Sequence, residues 1–280
     1  MIDLHTHSSA SDGSLSPEDL IRAAKKEGLS AIALTDHDTI AGCASASAVA
    51  QQEGIAFIPG VEIEIPWEPG EFHLLGLGLY RISPSLEEAL RYLEDERHQR
   101  NERIVQKMQE MGISASYEDI RQGIPGPVGR PHFARFLVER RIVKTKEQAF
   151  LRYLAKGRAL YVPKGALELS HAVRCITESG GIPILAHPLS LYVSWGKLPG
   201  VLEELKTRGI RGIEAWHPTA RVAECERLEK LGKTLGFLIT AGSDYHGSSR
   251  PERQLGRTAG NRIIDDHWAI PFLPTPAKNS

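Results

Sequence analysis

Short apolar runs alternate with amphipathic helical patterns along most of the chain. AIALT (31–35), IPILA (182–186) and FLITA (237–241) have the length and composition of buried strands. Between such runs apolar residues recur at helical spacing, and Ser16 followed by Pro17 marks the beginning of the first helix. Strands that alternate with helices predict parallel βα units in a sheet covered by helices.

The same pattern predicts further strands elsewhere in the chain. They are IDL (2–4), IAFIP (55–59), VEIEI (61–65), HLLGLGLY (73–80) and GIEAW (212–216). About seven strand units favour a closed barrel over an open sheet. The pattern therefore predicts an α/β fold built on a parallel barrel.

The pattern changes in the middle of the chain. A long, highly charged helical pattern begins at Pro84 and stops at Gly112, and shorter helical pieces follow it. No buried strand is recognisable in this stretch. We therefore predict a barrel formed by residues 1–83 and 161–280, with a mostly helical inserted cap subdomain at 84–160. The alternative is one domain with unusually long connections.

The composition is that of an ordinary globular protein. The 280 residues carry 34 basic and 35 acidic side chains, so the net charge of −1 predicts no basic surface that would coat a nucleic acid. No apolar run approaches the roughly 20 residues of a membrane span, and the first residues lack the pattern of a signal peptide. The three cysteines are too widely spread to indicate disulfides or a cysteine zinc site. A reducing, cytoplasmic location is expected.

Ionisable side chains follow most of the predicted strands. His5 and His7 come directly after the first strand, and residues two apart on a strand point to the same face. The carboxyl ends of parallel strands meet at one mouth of a barrel, where active sites are built. Burying so many ionisable groups together is costly without cations to neutralise them. The residues in question are His5, His7, Asp12, His37, Glu62, His73, His187, His217, Asp244 and His246.

The donor types limit which metals could bind. Imidazole nitrogens and carboxylate oxygens dominate, and no cysteine lies in any of these motifs, which suits zinc, manganese or iron better than magnesium or calcium. A single ion could not use all these ligands and still bind a substrate, whereas two or three ions could. Glu62 is placed to bridge two of them.

Six motifs together resemble the PHP (polymerase and histidinol phosphatase) family over nearly the whole chain. They are HTHSSASDG (5–13), LTDHDT (34–39), GVEIE (60–64), GRPHFARFLV (129–138), LAHP (185–188) and AGSDYHG (241–247). This resemblance implies a distorted (β/α)7 barrel that holds up to three metals. It implies that His5, His7 and Asp244 hold the first ion, that Glu62 bridges to a second ion at His73 and His187, and that Asp12, His37 and His246 hold the third. Mn2+ is favoured, with Zn2+ or Fe2+ as alternatives.

Clustered divalent ions can bind phosphate oxygens and lower the pKa of a bound water, which favours hydroxide attack on phosphorus. Glu62 and Asp244 would take part through the metals. His217 is a candidate to protonate the leaving oxygen or to contact the substrate phosphate, and a structural histidine is the alternative. Arg130, at the beginning of a predicted helix, could grip a phosphate. His132 and Lys164 are the other predicted substrate-binding residues, and solvated surface charge is the alternative for Arg130 and Lys164.

These considerations predict a metal-dependent phosphoesterase with a small phosphorylated substrate. The resemblance favours nucleotides, either as a 3′,5′-bisphosphate nucleotide phosphatase or as a 5′–3′ exonuclease on short oligonucleotides. Histidinol-phosphate phosphatase, a non-catalytic metal-binding module and a metal-dependent amidohydrolase are the alternatives. No protein partner and no membrane association are implied. Asp36 and Asp38, which flank His37, are expected to orient ligands and not to bind metal directly.

Overall fold

The computed structural model describes residues 1–124 and 126–273, and it divides the chain into two compact units. The first unit comprises Met1–Leu90 and Leu167–Ser280, and the second comprises Arg91–Ala166. The predicted insertion at 84–160 overlaps most of the second unit. Its status as a separate cap subdomain stays a prediction.

The first unit is built around a seven-stranded sheet in which each strand pairs with the next one along the chain. The two outer strands approach each other through a parallel bridge between Thr6 and Tyr245, where the His7 backbone N–H donates to the Tyr245 carbonyl at 2.9 Å. The sheet is therefore a nearly closed barrel, which confirms the predicted fold class. The strands are β1 (Ile2–Asp3), β2 (Ala31–Leu34), β3 (Ala56–Ile65), β4 (Phe72–Leu77), β5 (Ile182–Leu185), β6 (Gly212–Trp216) and β7 (Leu238–Ala241).

The expectation of a wholly parallel sheet is wrong for β4, which is antiparallel to both β3 and β5. The connection between β3 and β4 is too short for a crossover helix, so these two strands can only form a hairpin. IAFIP and VEIEI also join into the single strand β3. Because β4 is inverted, its first residues lie beside the last residues of β3, and His73 pairs with Glu64 there.

Helices follow most of the parallel strands, and their apolar faces are buried. Ser16 caps the first of them, because its hydroxyl accepts from the Asp19 N–H at 3.1 Å. Gly76 allows close packing, since a Cβ there would lie 2.9 Å from the Ile176 side chain. The helices are α1 (Pro17–Lys26), α2 (Cys43–Glu53), α3 (Pro84–Glu110), α4 (Tyr117–Arg121), α5 (Arg130–Glu139), α6 (Lys146–Ala149), α7 (Leu169–Glu178), α8 (Leu198–Thr207) and α9 (Val222–Thr234).

The second unit has a hydrophobic core of its own. Side chains of α3 and α5, among them Met108, Phe133 and Leu137, are fully buried in it. Asn101 donates from its side-chain amide to the Val128 carbonyl at 2.8 Å, which satisfies a buried polar group. Between residues 91 and 166, the described part of the chain contains helices and no strand. None of the described helices is long and apolar enough to cross a membrane.

Candidate metal centre

Four side chains from three distant segments meet at the barrel mouth. The Nε2 atoms of His5 and His7 lie 3.1 Å apart. Glu62 Oε2 lies 3.3 Å from the first and 3.2 Å from the second of these nitrogens. Asp244 Oδ1 lies 3.5 Å from His5 Nε2 and 3.2 Å from His7 Nε2. All four side chains are almost completely buried.

The spacing of these four atoms fits a metal ion. Ligands about 2.0–2.1 Å from a tetrahedral ion are roughly 3.3–3.4 Å from one another, and the distances between these atoms, 3.1–3.5 Å, lie close to that value. Glu62 Oε2 and Asp244 Oδ1 are buried and have no hydrogen-bond partner among the described residues. A buried carboxylate oxygen without a partner is costly, and a cation between the four atoms would remove that cost. The residues present therefore fit a divalent metal.

A second group comprises His7, Asp12, His37 and His246. His246 Nε2 lies 3.2 Å from Asp12 Oδ1, and His37 Nε2 lies 3.9 Å from Asp12 Oδ2. His7 Nδ1 is 3.8 Å from Asp12 Oδ1 and lacks a hydrogen-bond partner within the described ranges. His7 therefore belongs to two groups, whereas the sequence prediction assigns it to the first ion alone.

Glu62 is the centre of the third group, which also contains His37 and His73. Its Oε1 lies 2.8 Å from His73 Nδ1 and 3.3 Å from His187 Nε2. Its Oε2 lies 3.2 Å from His37 Nδ1, in addition to the contacts with His5 and His7. One carboxylate thus reaches five imidazoles, which is the geometry that a bridging ligand needs. The structure brings all nine predicted ligands together, and their binding of metal stays a prediction.

Burial and mutual attraction set the charge state of the cluster. Burial raises the pKa of Glu62, but the neighbouring His37, His5 and His73 outweigh it and hold this pKa well below its usual range. Burial lowers the pKa of His5, yet Glu214 and Glu62 attract its proton more strongly and raise the pKa to about 10. A metal bound to His5 would therefore have to displace a proton.

Four other histidines of the site are neutral at pH 7, because burial lowers their pKa values. Neutral imidazole is the form that binds metal. The pKa is lowered to about 3 for His37, about 4 for His187, about 3 for His217 and about 4 for His246.

Glu214 is a residue of this site that the sequence analysis missed. It is 1% exposed, its Oε1 lies 3.0 Å from His5 Nδ1, and its Oε2 accepts from the His187 backbone N–H at 2.9 Å. A carboxylate on the outer nitrogen of a ligating histidine directs the other nitrogen towards the metal. A charged residue inside the apolar strand GIEAW is the signal that could have revealed it.

Asp36 holds the loop that carries Asp12. Its carboxylate accepts from the Ser8 N–H at 2.8 Å, the Ser8 hydroxyl at 2.7 Å and the Ser11 hydroxyl at 2.6 Å. The small polar residues of HTHSSASDG thus anchor the loop to the end of β2. Asp36 makes these contacts with the loop and is in none of the candidate metal groups formed by the described residues.

Arg250 and Arg253 are further residues that the sequence analysis missed. Arg250 Nη1 donates to Asp244 Oδ2 at 3.1 Å, and Arg253 Nη1 contacts the same oxygen. Arg253 also donates to the Asp244 carbonyl at 3.1 Å. His217 Nε2 lies 3.3 Å from Asp244 Oδ2, so three donors surround this oxygen.

The backbone is strained where it presents two of the predicted ligands. His187 and Asp244 have φ values of 28° and 50°, a region that residues other than glycine rarely adopt. Gly242 permits the close approach before Asp244, since a Cβ there would lie 2.3 Å from His5 Cβ. Such strain is typical of functional sites.

The predicted substrate-binding residues lie in both units. His217 is beside the cluster, where its Nδ1 is 2.7 Å from the Thr219 hydroxyl. Arg130, His132 and Lys164 belong to the second unit. His132 Nδ1 accepts from the Gly129 N–H at 2.9 Å at the beginning of α5. The contact of all four with substrate stays a prediction.

Two named proteins are similar to this chain over most of its length. The chain is 34% identical to a 5′-3′ exoribonuclease of Haemophilus influenzae, over 87% of this chain and 89% of that protein. It is 30% identical to a 3′,5′-nucleoside bisphosphate phosphatase of Chromobacterium violaceum, over 92% and 91% of the two chains.

Two solved structures share the fold. One is described as an amidohydrolase from Chromobacterium violaceum with bound sulfate and no metal, with 29% identity, a TM-score of 0.83, and 95% and 92% of the chains covered. The other is described as a metal-dependent phosphoesterase from Bifidobacterium adolescentis, with 25% identity, a TM-score of 0.81, and 97% and 94% covered. The family model for the PHP domain matches residues 3–172. The chain therefore belongs to the PHP domain family.

Proposed function

We propose that this protein is a metal-dependent phosphoesterase that hydrolyses phosphate esters of nucleotides. The observation that carries the proposal is the carboxylate of Glu62, which reaches five imidazoles and whose buried Oε2 has no hydrogen-bond partner in the described part of the chain. Relatives named as an exoribonuclease and as a nucleoside bisphosphate phosphatase, each matched over most of its length, support the substrate class.

Two or three divalent ions would occupy the cluster, and Mn2+ is our first choice from the mixture of imidazole and carboxylate donors. Bound there, they supply Lewis acidity towards a phosphate oxygen and lower the pKa of a coordinated water. The first group would hold one ion through His5, His7 and Asp244. The others would lie between Glu62, His73 and His187, and between Asp12, His37 and His246.

The remaining residues would bind and orient the ester. His217 presents Nε2 beside Asp244, and its hydrogen bond to Thr219 fixes the orientation of the ring. We assign it contact with the substrate phosphate or protonation of the leaving oxygen. Arg130, His132 and Lys164 would bind a second phosphate or the nucleotide portion. A cytoplasmic location would suit the three free cysteines.

The proposal is tested with protein stripped of metal and reloaded with Mn2+, Zn2+ or Fe2+. The substrates are adenosine 3′,5′-bisphosphate, a short 5′-phosphorylated RNA, histidinol phosphate and an amide panel. We expect turnover of a nucleotide substrate, a loss of at least about a hundredfold in Glu62→Gln, and full activity in the exposed control Glu203→Gln.

Other results would lead to a different function. Turnover of amides alone would replace the proposal with an amidohydrolase. Turnover of histidinol phosphate alone would move the substrate outside nucleotides. Stoichiometric metal binding without turnover of any substrate would indicate a non-catalytic module.

A further inference from the structure

Asp244 divides its two carboxylate oxygens between two environments. Oδ1 faces the imidazoles of His5 and His7, whereas Oδ2 faces Arg250, Arg253 and His217. A residue that faces the candidate ions on one side thus holds two guanidinium groups on the other. The two arginines must therefore lie beside the candidate metal centre.

The arginine pair has more N–H donors than Asp244 can satisfy. Each guanidinium has five N–H donors, and Nη1 is the atom that each directs at the Asp244 carboxylate. Arg253 also has exposed Glu252 at 3.7 Å from its Nε, and the carboxylates of Glu214, Glu62 and Asp12 attract its charge. Once cations bind Oδ1, they draw the single negative charge of Asp244 towards themselves. Two neighbouring guanidinium groups then favour an additional anion.

The accessibility of the pair differs between its members. Arg253 is 10% exposed and is held by the backbone carbonyl of Asp244, so it forms the fixed half. Arg250 is 38% exposed, so part of its guanidinium is accessible to a ligand from solvent. A buried guanidinium next to an accessible one suits an anion that enters from solvent.

We propose that Arg250 and Arg253 form a binding site for a terminal phosphate group, and that they make the enzyme prefer phosphate monoesters to diesters. A terminal phosphate carries a charge of about −1.5 to −2 at pH 7 and three acceptor oxygens. A diester has a single negative charge and two such oxygens. The extra charge and oxygen of the monoester match the two guanidinium groups. This inference rests on the proposed phosphoesterase function.

The test uses the metal-loaded protein and the variants Arg250→Ala and Arg250→Lys. Arg208→Ala is the matched control, since Arg208 is on α8 of the same unit and is 39% exposed. The first measurement is the Kd of inorganic phosphate by calorimetry. We expect Arg250→Ala to raise it about tenfold, Arg250→Lys to raise it less, and Arg208→Ala to leave it unchanged. Metal content should be the same in all four proteins.

The second measurement compares p-nitrophenyl phosphate with bis(p-nitrophenyl) phosphate, which share a leaving group. We expect Arg250→Ala to reduce kcat/KM about tenfold or more for the monoester and at most about threefold for the diester. Equal losses on both esters together with lost metal would show that Arg250 only supports Asp244, and would overturn the proposal. An unchanged phosphate Kd would overturn it as well. If wild-type protein hydrolyses neither ester, the proposed function is in question, and the phosphate titration still decides on the site.

Discussion

The substitution Glu214→Gln tests whether the buried carboxylate behind His5 controls metal binding. Gln has the same shape, but it lacks the charge, and its NH2 group must face one of the two donors that Glu214 now accepts from. Those donors are His5 Nδ1 at 3.0 Å and the His187 N–H at 2.9 Å. A charge-assisted hydrogen bond contributes about 1.5–3 kcal/mol.

The expected effect on metal affinity follows from a competition at His5 Nε2. In the metal-free chain a proton occupies the ring, because Glu214 and Glu62 overcome the effect of burial and raise the pKa of His5 to about 10. A metal bound at this ring would replace that proton. A carboxylate attracts a divalent ion more strongly than it attracts a proton. Loss of the Glu214 charge therefore weakens the binding of metal to His5 more than it weakens the binding of a proton to His5. We expect about 10- to 100-fold weaker binding of one ion.

The assay is a titration of metal against a competing chelator, with elemental analysis of the bound ions and 15N NMR of the His5 ring. Glu229→Gln is the control, because Glu229 also accepts a hydrogen bond from a β6 residue, Trp216, but is in none of the candidate metal groups found within residues 1–124 and 126–273. We expect Glu229→Gln to bind all ions normally. Wild-type affinity in Glu214→Gln, with an unchanged His5 tautomer, would refute the reasoning.

Three further predictions concern the ligands, the second unit and pH. His37→Ala should lose one metal equivalent by elemental analysis together with most activity. The control His267→Ala, at an exposed histidine, should keep both. Unchanged metal content in His37→Ala would remove His37 from the ligand set. Arg130→Ala should raise KM or lower kcat/KM with metal content intact, and kinetics equal to those of the exposed control Arg152→Ala would place Arg130 outside the site. Four site histidines have pKa values lowered to about 3 or 4. Below the unfolded pKa of about 6.5 the unfolded chain takes up protons that these buried rings do not, so the free energy of unfolding falls as pH falls towards 3–4. Chemical denaturation of the metal-free protein should show this loss, by up to about 1.4 kcal/mol per pH unit for each group, and a flat profile between pH 6.5 and 4 would contradict it.

Most of the architecture could be predicted because buried strands and amphipathic helices leave strong periodic patterns. AIALT and FLITA contain β2 and β7, and the helix predicted from Pro84 ends two residues before Gly112. Such a pattern indicates that a strand is present but not which direction it runs in, so it does not predict that β4 is antiparallel to its neighbours. The short turn at WEPGE is the local feature that requires it.

Some residues of the candidate site could be predicted from the sequence, and others could not. His5 and His7 were found because an H-x-H pair has little use in packing. Glu214 was missed because a single carboxylate within the apolar strand GIEAW does not by itself indicate a functional role. Arg250 was missed because charged residues in a loop are ordinarily solvated, and only contact with Asp244 distinguishes it.

The inverted strand and the buried carboxylates have a joint consequence for the site. His73 is at the beginning of β4, so it reaches Glu62 only because β4 runs opposite to β3. The same hairpin gives Glu62 a position where both oxygens face imidazoles. In the metal-free chain the charge of Glu62, Asp244 and Glu214 is offset by protonated His5 and by the two arginines. Metal ions would take over that neutralisation and displace the proton of His5, so metal binding should strengthen as pH rises from neutral towards about 10, the raised pKa of His5. In the metal-free chain the sign is opposite, because the stability that protonated His5 contributes below pH 6.5 is lost as pH rises towards about 10.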